Sequence, residues 1–142
     1  NGKDSLLEQS EVNFIHKNTS GYWLATNNGI FLVKEGKGVI RHFDKSNGHL
    51  PFNYIRHIYE DNEGVFWLAT RGGGVIRWRL QFSEEGEQSG NALSAASKSS
   101  YKQFTMEDGL ADNFTYAVYE DDYSKLWIPS DKGLMQMDKA SF

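Results

Sequence analysis

The sequence predicts an all-β fold built from β-propeller blades, each a four-stranded antiparallel meander. About three blades are present, so the propeller is incomplete. Three observations carry the prediction. Short runs rich in β-branched and aromatic residues are bounded throughout by Asp, Asn and Gly clusters, the pattern of strands joined by hairpins. One such arrangement recurs as VNFIHKNTSGYWLATNNGIFLV (12–33), IRHIYEDNEGVFWLATRGGGVIRW (55–78) and TYAVYEDDYSKLWIPSDKGLMQM (115–137). Its tryptophans, Trp23, Trp67 and Trp127, lie 44 and then 60 residues apart, and about 40–45 residues is the period of a four-stranded blade.

Taken in order, residues 1–11 are polar apart from Leu6 and Leu7 and read as a lead-in, the outer strand of a preceding blade. The first repeat covers about 12–43, with strands at Val12–His16, Tyr22–Thr26, Ile30–Lys34 and Val39–Phe43, the last polar and therefore outermost. Asp44–Asn53 links it to the second repeat, about 54–105, with strands near 54–60, 65–70, 74–80 and 101–105. The link recurs as Glu107–Asn113, with Leu50 and Leu110, Asn53 and Asn113, Ile58 and Val118, and Asp61 and Asp121 each 60 apart. The third repeat, about 114–142, has strands near 114–120, 125–129 and 133–138 and stops before a fourth is complete. The longer second interval is accounted for by SEEGEQSGNALSAASKSS, an insertion at about 83–100 too poor in apolar residues to order itself and expected to be a flexible loop.

The 142 residues allow one domain with a real core. A net charge of −4 argues against nucleic acid as a partner, and Arg77-Trp78-Arg79 reads as a strand end with solvated arginines. Without cysteine, disulfides and thiol catalysis are excluded. No apolar run is long enough to span a membrane, so no membrane contact is expected within these residues. The N-terminus lacks the pattern of a signal peptide.

Glu60-Asp61 and Glu120-Asp121 suggest paired acid and base, but a feature repeated in every blade is better explained as a turn device, since an enzyme needs its acid and base once. His16, His42, His49 and His57 have no metal-site spacing, and no cofactor is expected. Arg71-Gly72-Gly73-Gly74 precedes a strand and not a helix, so it is not a phosphate cradle. The repeat positions with structural duty are Trp23, Trp67, Trp127, Asp61, Asp121, Gly29, Gly74 and Gly133. The tryptophans are expected to wedge between blades, with stacking on sugars the other reading. No catalytic residue is assigned. Non-repeated polar residues, His49, Tyr54, Arg56 and Arg71, are the candidates for ligand binding.

The motifs IYEDNEGVFWLATRGGGVIRW and FTMEDGLADN resemble the two-component regulator propeller repeat and its link. Ala69 stands where that repeat usually has Gly, and Pro129 departs further, predicting a bent or edge strand. The resemblance covers about residues 12–138. It implies a seven-bladed parent propeller in the extracytoplasmic, periplasmic sensor region of a membrane-anchored bacterial hybrid histidine kinase, with a carbohydrate fragment as ligand. The fragment itself would be non-catalytic, its partners being the remaining propeller repeats of the parent chain. Two alternatives stand beside this: a glycan-active propeller lyase or hydrolase, and a structural or adhesive scaffold. Because three blades cannot close a ring, apolar end faces are expected at Val12, Phe14, Tyr22 and Trp23 and at Tyr116, Val118, Leu126 and Trp127, and with them a homo-oligomer.

Overall fold

The computed structural model describes residues 2–81 and 98–142. They form three antiparallel sheets in which strand order follows sequence order. The first holds β1 (Val12–Asn18), β2 (Gly21–Thr26), β3 (Gly29–Lys34) and β4 (Gly38–Phe43); the second β5 (Ile55–Glu60), β6 (Phe66–Thr70), β7 (Val75–Gln81) and β8 (Lys98–Phe104); the third β9 (Tyr119–Glu120), β10 (Lys125–Ser130) and β11 (Gly133–Asp138). These are two complete blades and one of three strands, an incomplete propeller.

The hairpin glycines show where a fourth strand belongs. Gly29 and Gly74 have φ of 90° and 74°. A Cβ on Gly29 would lie 2.1 Å from the Phe43 carbonyl oxygen and one on Gly74 1.9 Å from that of Phe104, so the end of the outermost strand closes over the turn and only glycine fits. Gly133 has φ of 105°, yet nothing lies within 4 Å of the same point. The space that β4 and β8 fill in their blades is open in the third.

The blades stack through alternation. In β6, Phe66 and Leu68 point to the first blade and Trp67 and Ala69 to the third, as successive strand residues must. One core therefore contains Trp23, Ile30, Leu32, Phe43, Leu50, Ile55, Ile58, Phe66, Ile76 and Trp78. The Trp23 ring meets that of Phe66 edge-on at 4.8 Å, and Phe43 meets Trp78 at 5.0 Å. The second core contains Val65, Trp67, Val75, Phe104, Leu110, Val118, Leu126, Ile128 and Met135.

Several expectations are corrected. The lead-in is not a strand but a helix, α1 (Gly2–Glu8), whose residues include no β-branched side chain. Asp4 on it accepts the Val39 amide at 3.0 Å, tying it to β4. Strand β8 begins at Lys98, so residues 98–100 of the expected insertion are ladder, and its remaining residues, 83–97, lie outside the described ones. The inner strand of the third blade is regular only at Tyr119–Glu120, with isolated bridges from Phe114 to Arg71 and from Thr115 to Ser130. Pro129 occupies the place of Ala69, which pairs with His57. Proline has no amide hydrogen to give Ala117, the residue aligned with His57, and only its carbonyl is used, by the Tyr116 amide at 2.9 Å. The end faces also differ. Trp23, Phe14, Val118 and Leu126 pack into the two cores. The outward faces carry Ile15 and Val12 at one end and Tyr119, Leu134 and half-buried Trp127 at the other, with Leu134 63% exposed.

Candidate functional site

Two sets of repeated contacts join the blades, and they differ in what they ask of the side chains. The first is the turn after each inner strand. Asp61 Oδ1 accepts the Glu63 and Val65 amides, each at 2.9 Å, while Oδ2 accepts the Trp67 indole N–H at 3.0 Å. Asp121 repeats this with Tyr123, Lys125 and Trp127. In the first blade Asn18 serves, accepting from the Ser20 amide and from Trp23 at 2.8 Å. Each preceding residue in the later blades is a glutamate that reaches back to the previous blade. Glu60 Oε1 lies 2.8 Å from His16 Nε2 and accepts from Asn18 Nδ2. Glu120 Oε1 accepts the Tyr59 hydroxyl at 2.8 Å, and Lys139 Nζ bridges it to Asp61, 2.8 Å from Oδ2.

This clasp sets its own electrostatics. Burial pushes the Asp61 carboxyl up, but the Lys139, Trp67, Val65 and Glu63 donors outweigh it and hold the group below the usual carboxylate range. The Trp127 indole and the Lys125 amide likewise lower Asp121. Burial, aided by the bond to Glu120, raises Tyr59 to about 12. Both carboxylates of each expected pair are thus engaged in holding turns and blades.

The second set lies where the inner strands begin. In each blade the residue just before Val12, Ile55 or Thr115 is bonded through its carbonyl to an amide of the second hairpin: Asn27 to Glu11 at 3.3 Å, Arg71 to Tyr54 at 3.0 Å, Asp131 to Phe114 at 3.1 Å. Two residues further on, a bulge interrupts β1 between Val12 and Phe14 and β5 between Ile55 and His57. Its side chain hooks the next inner strand: Asn13 Nδ2 donates to the Ile55 carbonyl at 3.0 Å and Arg56 Nη1 to that of Thr115 at 3.3 Å. Three of the four sequence candidates, Tyr54, Arg56 and Arg71, are therefore brought to one rim. The Arg71 guanidinium lies 5.3 Å from the Tyr54 ring centre, and that of Arg56 4.3 Å from the Tyr116 ring. Tyr54 donates its hydroxyl to Glu11 at 2.8 Å, and Tyr116 donates to Asp131. Phe114 and Tyr116 are 41% and 47% exposed.

Phe114, Glu11, Asn13 and Asp131 complete the rim and were not singled out by the sequence, and Tyr116, expected on an apolar end face, belongs to it as well. The 60-residue offset that pairs Asp61 with Asp121 also pairs Tyr54 with Phe114 and Arg56 with Tyr116, so the signal was present. His49 stands apart. Its ring lies against β4 and β8, with Nε2 3.2 Å from Arg41 Nη2 and Nδ1 2.6 Å from Ser99 Oγ. Burial and the Arg41 charge push it down. Among the described residues no three His, Asp or Glu side chains are grouped to hold a metal.

His57 is buried between blades. Its ring centre is 4.3 Å from that of Phe14 and 5.4 Å from that of Tyr119, and its Nδ1 accepts the Val118 amide at 3.3 Å. Burial, with a smaller contribution from His16, lowers it to about 4. The unfolded chain takes up this proton near pH 6.5 while the native state refuses it until about 4, so stability is full above pH 6.5 and falls as pH drops toward 4. Urea unfolding is expected to show a loss of about 2 kcal/mol between pH 7 and pH 5, and most of that loss should vanish in His57→Gln. The lowered carboxylates act only at more acid pH. An unchanged slope in the variant would place the titration elsewhere.

With this geometry the chain can be set beside known proteins. Residues 49–72 match the two component regulator propeller family. The match takes in the second half of the link, the inner strand and the Trp67 strand of the second blade. The solved extracellular domain of a hybrid two component system, BT3049 from B. thetaiotaomicron, superposes with a TM-score of 0.68 at 25% identity over 94% of this chain and 16% of that one. That of BT4673 from the same organism gives 0.64 at 22% identity over 92% and 17%. PorZ, a surface component of the type-IX secretion system of Porphyromonas gingivalis, gives 0.57 at 22% identity over 90% and 17%. The chain thus spans about a sixth of the length of these structures. No curated protein matches it. None of the described helices is long and apolar enough to cross a membrane.

Proposed function

We propose, from a chain that carries a two component regulator propeller repeat and shares its fold with extracellular domains of two component systems, that these blades belong to the extracytoplasmic sensor propeller of a membrane-anchored receptor. Their task is recognition of a carbohydrate ligand, without catalysis, with the rest of the propeller supplied by further repeats of the parent chain. One observation supports the rim as the place of recognition. At the turns, residue type is kept because the side chain makes the bond: Asn or Asp beneath Trp in all three blades. At two rim positions the main chain makes the repeated bond, and the side chains differ freely: Glu11, Tyr54 and Phe114 at one, Asn27, Arg71 and Asp131 at the other, while at a third Asn13 and Arg56 also hook the next inner strand. Side chains released from structural duty on a repeated frame are where recognition is built. Titrating the chain with a panel of oligosaccharides tests this. Saturable binding without product fits a sensor; turnover would replace this reading with the glycan-active enzyme, and no binding of any probe would leave only the scaffold.

The open outward faces bear on assembly. Trp127, Tyr119 and Leu134 at one end and Ile15 and Val12 at the other correspond to surfaces that are covered between blades. The isolated chain is expected to self-associate head to tail, most simply as a dimer of about six blades. Light scattering at micromolar concentration should show a mass above that of one chain; a monomer stable to dilution would contradict it.

A further inference from the structure

The rim carries positive charge that recognition of a neutral sugar would not need. Arg56 and Arg71 stand on it in a chain whose net charge is −4. Neither is within ion-pair distance of a carboxylate among the described residues, while other basic side chains are so paired, Lys125 with Asp138 and Lys139 with Asp61 and Glu120. The two carboxylates of the rim accept from phenols instead, Glu11 from Tyr54 and Asp131 from Tyr116. Each guanidinium lies beside an aromatic ring, Arg56 by Tyr116 and Arg71 by Tyr54. Arg56 gives one N–H to the Thr115 carbonyl and also interacts with the Tyr116 side chain, leaving the remaining donors of its fork for a ligand. Phe114, joined to Arg71 through a β-bridge, and Tyr116 add exposed ring faces.

We infer that this rim binds a saccharide bearing an oxyanion, a carboxylate or a sulfate ester, with Arg71 and Arg56 taking the anionic groups and Tyr54, Phe114 and Tyr116 taking the sugar faces. A planar fork of donors matches such an anion in two-point fashion, and pyranose faces pack on aromatic rings by burying their C–H groups. The inference rests on the reading of the rim as a recognition surface.

The test titrates the 142-residue chain by calorimetry with three tetrasaccharides: tetragalacturonate, a sulfated chondroitin tetrasaccharide and neutral maltotetraose. At least one acidic probe should bind about tenfold or more tighter than maltotetraose, the better of the two telling carboxylate from sulfate. Arg71→Gln and Arg56→Gln should each weaken that probe about tenfold. Arg79→Gln, at an exposed position of β7, makes the same charge change away from the rim and should stay within about twofold. Arg71 is itself exposed, so its variant is expected to fold even if loss of the Arg56 hook disturbs the blades. Equal binding of maltotetraose, lost on truncating Tyr54 or Tyr116, would overturn the anionic class and leave the recognition surface standing. Acidic binding indifferent to both arginine variants would overturn the site. No binding of any probe would overturn both.

Discussion

Truncation of Trp67 to alanine should lower the melting temperature of the chain by roughly 10–20 °C. Trp67 is buried against the third blade, and its indole N–H is bonded to Asp61. Removing an aromatic side chain from such a site costs about 3–5 kcal/mol, because the cavity closes only partly, in a domain whose total stability is about 5–15 kcal/mol. The sharper expectation is the contrast with Trp127→Ala. Trp127 holds the same place in the repeat and the same bond to an aspartate, but its face points away from the other blades. Its loss should shift melting by only a few degrees. Thermal unfolding followed by circular dichroism decides between them. Equal shifts would mean that the tryptophan acts through its turn and not as a wedge between blades.

Asp61→Ala should cost about 3–5 kcal/mol, the effect of breaking a buried charge pair by removing one member. Asp61 is 6% exposed, and four donors converge on it. Alanine would leave the Lys139 ammonium facing only Glu120, and the Trp67 N–H without an acceptor inside the protein. Asp61→Asn should be milder, about 1–2 kcal/mol. The first blade already uses Asn18 at this position, where the amide nitrogen can donate to Glu60. In the second blade the same nitrogen would meet Lys139, a donor facing a donor. Chemical denaturation of the two variants gives the ranking, and asparagine as damaging as alanine would show that the charge, and not the acceptor geometry, holds the turn.

The residues legible in the sequence were those with one stereochemical duty each. Trp23 and Trp67 at the blade interfaces, Asn18 and Asp61 under them, and Gly29 and Gly74 beneath the outer strands each answer one stereochemical demand, and Pro129 announced its own effect on the third blade. The direction in which strand residues face was less legible. Leu126 and Trp127 are neighbours in β10 and cannot share a face, which the sequence could have decided; which of them points outward depends on the blade it meets. The rim was half seen. Tyr54, Arg56 and Arg71 stood out as polar and unrepeated, while Phe114 carried no distinguishing signal and Tyr116 read as part of an apolar end face. His49 looked equivalent to these, but its partner Ser99 is 50 residues away across the insertion, and no local pattern reveals that contact. The N-terminal helix was missed because seven residues are too few for a periodic signal.

The two cores share no residue, although both draw on the middle sheet, one from each side. Unfolding is then not a single melting of one interior but the parting of two neighbour-to-neighbour seams, with the second blade counted in both. Every strand pairs with the one that precedes or follows it in the chain, so each meander can form from near contacts, and seams can zip outward from whichever blade forms first. A lesion in the second blade should therefore lower cooperativity as well as stability, whereas one on the outward side of the first or third should fray a single end and leave the opposite seam at its original strength.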